Sequence, residues 1–154
     1  MRGAPMIIGA ICNKDVVTVE RDATILNAAK LMRQHHVGDV VVVETKINKT
    51  VPVGIVTDRD LIMEVVATDL DSNVFTVGDI MVSHLAVIQE SASVFEASHL
   101  MTSKGIRRLP VVDNSGGLVG VISLDDLLLM LSKEIGLISK LIIHEQKNER
   151  AHRH

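Results

Sequence analysis

The sequence predicts an α/β (α+β) fold made of two tandem, pseudo-twofold repeats, each a small mixed sheet with two helices packed on it. Two observations predict it: the chain aligns with itself, and each half reads strand, helix, strand, strand, helix. Displaced by 69 residues, Gly9 meets Gly78, Ile11 meets Ile80, Ala23 meets Ala92 and Ala28 meets Ala97. The match continues with Leu31 and Met32 on Leu100 and Met101, then Val42 and Val43 on Val111 and Val112. Past Glu44–Pro52, a loop three residues longer in the first half, the offset becomes 66. Gly54-Ile55-Val56-Thr57 then falls on Gly120-Val121-Ile122-Ser123, and Asp60 on Asp126. A shared apolar rhythm alone would not also align the Gly, Thr/Ser and Asp positions. The expected units are residues 7–67 and 77–135, joined by a linker at 68–76 and followed by a helical extension and polar tail at 136–154.

Within each copy the elements follow from residue type and period. Val16-Val17-Thr18-Val19 is β-branched and predicts a short strand, with Leu85–Ile88 as its weaker twin. Ile25, Ala28, Ala29 and Met32 recur at helical spacing, behind Thr24 or Asp22 as the start; Val94, Ala97, Ser98 and Met101 are the counterparts. Val40–Val43 and Leu109–Val112 are continuous apolar runs, as strands buried on both faces require. Turns at Asn48-Lys49 and at Asp113–Gly117 lead to strands Val53–Val56 and Leu118–Ile122. A second helix closes each copy, from near Asp58 and from near Leu124. Neither half, at about 60 residues, hides its apolar surface well alone; two copies face to face do, and leave a cleft between them.

The last helix outruns the repeat. Leu124, Leu127, Leu128, Leu131, Ile135, Ile138 and Ile142 keep helical spacing past Gly136, a residue that costs a helix about 1 kcal/mol against Ala and marks a possible break. An apolar stripe beyond the repeat's needs predicts a partner surface, with a second copy of the chain as the expected partner.

Composition excludes several classes. A net charge of -3, from 16 basic and 19 acidic residues, offers no field for nucleic acid, and Phe75 and Phe95 are the only aromatics for base stacking. Cys12 is the single cysteine, so neither an internal disulfide nor a cysteine-based zinc cluster forms, and one thiol suits a reducing compartment. The apolar part of Met1–Ile8 is too short for a signal peptide, and the longest apolar run, Leu127–Leu131, is far short of the ~20 residues that span a bilayer. A soluble, cytoplasmic protein without a membrane partner is expected. The seven histidines lack ligand spacing: His35 and His36 are adjacent, His84 and His99 stand alone, and His152 and His154 lie in a charged tail. No Ser–His–Asp or Cys–His arrangement is evident, so neither metal site nor enzyme is expected.

The chemistry-bearing signal is Gly54-Ile55-Val56-Thr57-Asp58-Arg59-Asp60, echoed by Gly120-Val121-Ile122-Ser123-Leu124-Asp125-Asp126. A strand ends, a hydroxyl residue opens a helix, and a carboxylate follows three positions later. Free N–H groups at a helix start seat phosphate, Thr57 or Ser123 adds a hydroxyl, and Asp60 or Asp126 suits a ribose diol. Thr/Ser-x-x-Asp is equally a near-match to a capping box. Its recurrence behind a Gly at equivalent places favours the ligand reading, with the Gly leaving room for the ligand.

These motifs resemble the CBS domain family, named for cystathionine β-synthase. Val77-Gly78-Asp79-Ile80-Met81 ahead of the second copy and Ile106-Arg107-Arg108-Leu109-Pro110-Val111-Val112-Asp113 within it are similar to that family too, and the resemblance covers roughly residues 7–135. It implies a paired module, often a flat disc-like dimer, that senses AMP, ADP, ATP, NADH or S-adenosylmethionine without catalysis and acts on a separate target protein. Carried over by residue, it implies Asp60 and Asp126 on ribose and Thr57 and Ser123 at phosphate. Arg107 and Arg108 would also bind phosphate, with Arg59 and His36 as neighbouring candidates. Val17, Thr18, Val37 and Pro110 would lie against the purine, although Val17 and Val37 are equally ordinary core residues. The first-copy counterparts of the Arg pair are Gly38 and Asp39, so unequal clefts are expected. The alternative is an architectural homodimerisation module with vestigial clefts.

Overall fold

The structure, a computed structural model, describes residues 6–82 and 84–153; His154 and the first five residues, which entered the readings above, lie outside the described residues. A single turn, α1 (Ile8–Ile11), leads into β1 (Thr18–Glu20), α2 (Ile25–His35), β2 (Asp39–Lys46), β3 (Lys49–Thr57) and α3 (Asp58–Leu61), which passes into a π-helical turn at Ile62–Val66. The second copy repeats this with α4 (Val77–Ile80), β4 (Ile88–Gln89), α5 (Val94–Lys104), β5 (Arg108–Val112), β6 (Leu118–Ser123) and α6 (Leu124–Ala151). Among the described residues there are two three-stranded sheets, ordered β1-β2-β3 and β4-β5-β6, each with one parallel and one antiparallel pair. β3 packs against β6 between them.

Both first strands form later than their β-branched runs suggest. β1 begins at Thr18, two residues after Val16, although the Val17 carbonyl already accepts a hydrogen bond from Val41 N (3.0 Å). The second-copy equivalent of Val41 is Pro110, which has no N–H to donate, so β4 loses a further residue and keeps only Ile88 and Gln89 on the ladder. The first hairpin turn sits one residue earlier than Asn48-Lys49. Ile47 (φ 43°) and Asn48 (φ 62°) form a two-residue left-handed turn between Lys46 and Lys49. α6 runs through Gly136 without a break.

The cores show why the chain needs both copies. One cluster gathers Val19, Ala28, Met32, Val40, Val42 and Val56 with Val77; the other gathers Ile88, Ala97, Met101, Leu109, Val111, Ile122 and Leu127 with Ile8. Val77 leads into the second copy yet is buried in the first, and Ile8, its equivalent 69 residues earlier, is buried in the second. The short lead segments are therefore exchanged. Ile8 N donates to the Ala92 carbonyl and Val77 N to the Ala23 carbonyl, both at 2.9 Å; Gly9 N to Glu90 and Gly78 N to Arg21 repeat the symmetry at 2.8 and 3.0 Å.

The same exchange accounts for the glycines. A Cβ on Gly54 would stand 2.5 Å from Met81 Sδ, and one on Gly120 would stand 2.6 Å from the Asn13 carbonyl oxygen and 2.7 Å from Cys12 Sγ. The space expected to serve a ligand is filled by the chain's own lead segments. Cys12 is a packing residue there, equivalent to Met81, and burial pushes its thiol up, against the pull of Lys14.

Candidate functional site

The cleft between the copies opens at the start of α6. There β6 ends on Ser123 in extended geometry, and α6 begins with Leu124 N donating to the Arg107 carbonyl at 2.8 Å. Ser123 Oγ accepts from Asp126 N (3.1 Å), and Asp126 Oδ2 accepts from Ser123 N (2.8 Å). Thr57 and Asp60 close the same reciprocal box at 3.2 and 2.8 Å. The capping reading is thus realised in both copies, and each carboxylate spends one oxygen on it.

Two recesses meet at this point. The first, about 190 Å³, draws Val16, Val17, Val37, Gly38 and Asp39 from the first copy and Arg108, Val121, Ser123 and Asp126 from the second, with Asn13 and Asp15 from the lead segment. The second, about 200 Å³, is lined by Arg107, Arg108, Ser123, Leu124 and Asp125. Of the residues expected from sequence, Val17, Val37, Arg107, Arg108, Ser123 and Asp126 are brought together here. Thr57, Arg59 and Asp60 stand at the equivalent helix start of the first copy and line neither recess. Thr18 and His36 are exposed and also line neither; His36 instead ends α2 in left-handed geometry. Pro110 is fully buried, because β5 is covered on both faces, and so offers no surface to a purine.

Sequence reasoning missed Asn13, Asp15 and Asp39. Asp39 matters most: its Oδ1 lies 3.0 Å from Arg108 Nε, across the repeat boundary. Asp39 and Arg108 are equivalent positions, so the ion pair marks where the pseudo-twofold axis passes. Its only sequence signal was the reversed charge at one aligned position. Burial pushes the Asp39 carboxyl above its ordinary range; Arg108 pulls it back and Asp58 pushes it further up. Arg107 is more open, 3.8 Å from Asp125 with both side chains largely in solvent. Among the described residues no group of three or more His, Cys, Asp or Glu is placed to hold a metal ion, and no helix is long and apolar enough to cross a membrane.

Comparison with known proteins adds to this geometry. The family model described as CBS domain matches residues 8–67 and 77–133. An uncharacterized protein, MK0525 of Methanopyrus kandleri, is 38% identical over 121 residues, 79% of this chain; the chain spans 60% of that protein's length. The CBS domain-containing protein YhcV of Bacillus subtilis is 40% identical over 112 residues, 73% of this chain and 76% of its own. Among solved structures, CBSX2 in complex with AMP superposes with a TM-score of 0.69 at 25% identity, covering 83% of this chain and 97% of that one.

Proposed function

The chain belongs to the CBS domain family, with two tandem copies, and from that premise we propose that it is a non-catalytic regulatory module that binds an adenine nucleotide between them. The observation that carries this reading is the composite recess at the start of α6, where Ser123, Asp126, Arg107 and Arg108 converge with Val17 and Val37. Apolar walls suit a purine, the unspent Asp126 oxygen suits a ribose hydroxyl, and the helix start with two guanidiniums suits phosphate. The AMP complex of CBSX2 supports the same class of ligand. Bound ligand would touch both copies, and it regulates only if it prefers one mutual arrangement over another.

Thermal melts with AMP, ADP, ATP, NADH and S-adenosylmethionine test the reading. A ligand at 100 times its Kd adds ~2.7 kcal/mol, and Asp126→Ala should weaken binding more than Asp60→Ala. No shift with any of the five overturns it. Such an outcome favours the second reading, an architectural homodimer, for which the observation is α6 itself. Leu128, Leu131, Ile135, Ile138 and Ile142 lie 47–64% exposed at alternating spacings of three and four, the pattern of a helix–helix seam.

A further inference from the structure

We propose that Asp39, through its hold on Arg108, makes the cleft selective for a nucleotide with one phosphate over one with a polyphosphate chain. The inference rests on the nucleotide reading of the same cleft and names the ligand class within it.

The charges around the two recesses are unequal. The first is lined by three carboxylates, Asp15, Asp39 and Asp126, against a single guanidinium, Arg108. The second holds Arg107 and Arg108 against Asp125. Positive charge is therefore concentrated at one end of the cleft, and Arg108 is shared between both ends. The two arginines also differ in strength. Arg107 has a side chain 72% exposed beside an equally open Asp125, so water and salt screen most of its field. The Arg108 side chain is only 35% exposed and acts through a lower dielectric. It is, however, already engaged: Asp39 holds its Nε at 3.0 Å. Asp58 is close as well, since a Cβ on Gly38 would stand 3.3 Å from Asp58 Oδ2 and 3.5 Å from Arg108 Nη2.

A phosphate arriving at the Ser123 end meets one solvent-weakened arginine and one arginine half-neutralised by Asp39, beside a helix start that has already spent Leu124 N on the Arg107 carbonyl (2.8 Å) and Asp126 N on Ser123 Oγ (3.1 Å). That suffices for a single phosphate, whose nucleoside then lies in the acidic, hydroxyl-accepting recess. Each further phosphate adds negative charge beside two guanidiniums already paired with carboxylates, Arg107 with Asp125 and Arg108 with Asp39. The discrimination is built by charges placed against the wrong ligand as well as for the right one.

Isothermal titration calorimetry of the full chain with AMP, ADP, ATP and adenosine decides the matter. AMP should bind at least about tenfold tighter than ATP, ~1.4 kcal/mol, with ADP between them. Asp39→Asn keeps the side chain's size and removes its charge. It should tighten ATP more than AMP and close most of that gap, while Asp39→Glu should restore it; adenosine should respond little to either. A merely structural role for Asp39 would shift all four ligands together. ATP binding within twofold of AMP, or an AMP-to-ATP ratio unchanged in Asp39→Asn, overturns the selectivity and leaves the nucleotide reading standing. Failure of every adenine compound to bind overturns both.

Discussion

Gly120→Ala is the sharpest test of the exchanged lead segments. The added Cβ would sit 2.6 Å from the Asn13 carbonyl oxygen and 2.7 Å from Cys12 Sγ, and a backbone oxygen cannot swing aside as a side-chain tip can. That oxygen also accepts from Val121 N while Asn13 N donates to Val121 O, both at 2.9 Å. Relieving the clash means lifting the strand-like contact at Asn13 off β6. Overpacking a tight site costs about 1–3 kcal/mol, and each hydrogen bond loosened about 0.5–1.5. Because these are alternative ways of meeting one clash, they do not simply add, and a loss of ~3 kcal/mol is expected. For a chain of this size that lowers Tm by about 6–12 °C, read by circular dichroism at fixed protein concentration, since any association also moves Tm. Gly54→Ala meets Met81 Sδ at 2.5 Å, the far end of a flexible side chain that can yield, with Met81 Cβ and Cγ at 3.1 and 3.2 Å, so ~1 kcal/mol is expected there. Gly136 has open space around it in mid-helix, and Gly136→Ala should stabilise by about 0.8–1 kcal/mol. If Gly120→Ala melts no lower than Gly54→Ala, the packing account is wrong. Loss of nucleotide affinity with unchanged melts would return these glycines to the role of ligand space.

Ile47 holds a positive φ that β-branched residues resist, and its side chain is 95% exposed; Ile47→Asn should raise stability by about 0.5–1 kcal/mol in urea melts. Because burial raises the Asp39 carboxyl while Arg108 and Asp58 act on it in opposite senses, the folded chain holds that proton to higher pH than the unfolded chain does. The resulting stabilisation is complete below the ordinary carboxylate range near 4 and is lost as pH climbs through the raised folded value. The stability of wild type minus that of Asp39→Asn should therefore fall across this window, and a rise would contradict the burial argument. On the homodimer reading, charging the exposed seam of α6 with Ile135→Asp and Ile138→Asp should halve the molar mass seen by light scattering while leaving the circular dichroism of the repeats intact. An unchanged mass would take the seam out of self-association.

Much of the architecture was legible because each signal was local. Val40–Val43 is a run of four valines, all buried, and Ile25, Ala28 and Met32 face the core at the spacing that named them. Thr24 caps α2 by accepting from Asn27 N, one of the two starts the residues allowed. What stayed hidden was non-local. The glycine matches were visible at Gly9 and Gly78 and at Gly54 and Gly120, yet no pattern within four or five residues tells a lead segment which copy to pack on. The shortening of β4 needed the register that places Pro110 opposite an acceptor. For the site, the Ser123 and Asp126 pair declared itself by spacing, whereas Asp39 is a polar residue at the head of an apolar strand until its partner, 69 positions away, is placed beside it.

The path of the chain through the cleft ties ligand to geometry. Asn13 is bonded to β6 of the second copy, and by Val17, four residues on, the backbone is accepting a hydrogen bond from β2 of the first. The crossing between copies is thus made within residues 14–16, and both its banks, Asn13 and Val17, line the same recess, as do Asp15 and Val16 within it. Any rotation of one copy against the other bears on that short span, because Ile8 and Val77 anchor the lead segments in opposite cores. A molecule seated in the recess touches the crossing itself and the Asp39–Arg108 pair that joins the two copies. On the nucleotide reading, occupancy and inter-repeat angle are then linked by contact rather than by a relay through the sheets, and the strength of the switch equals the difference in the ligand's affinity for the two angles.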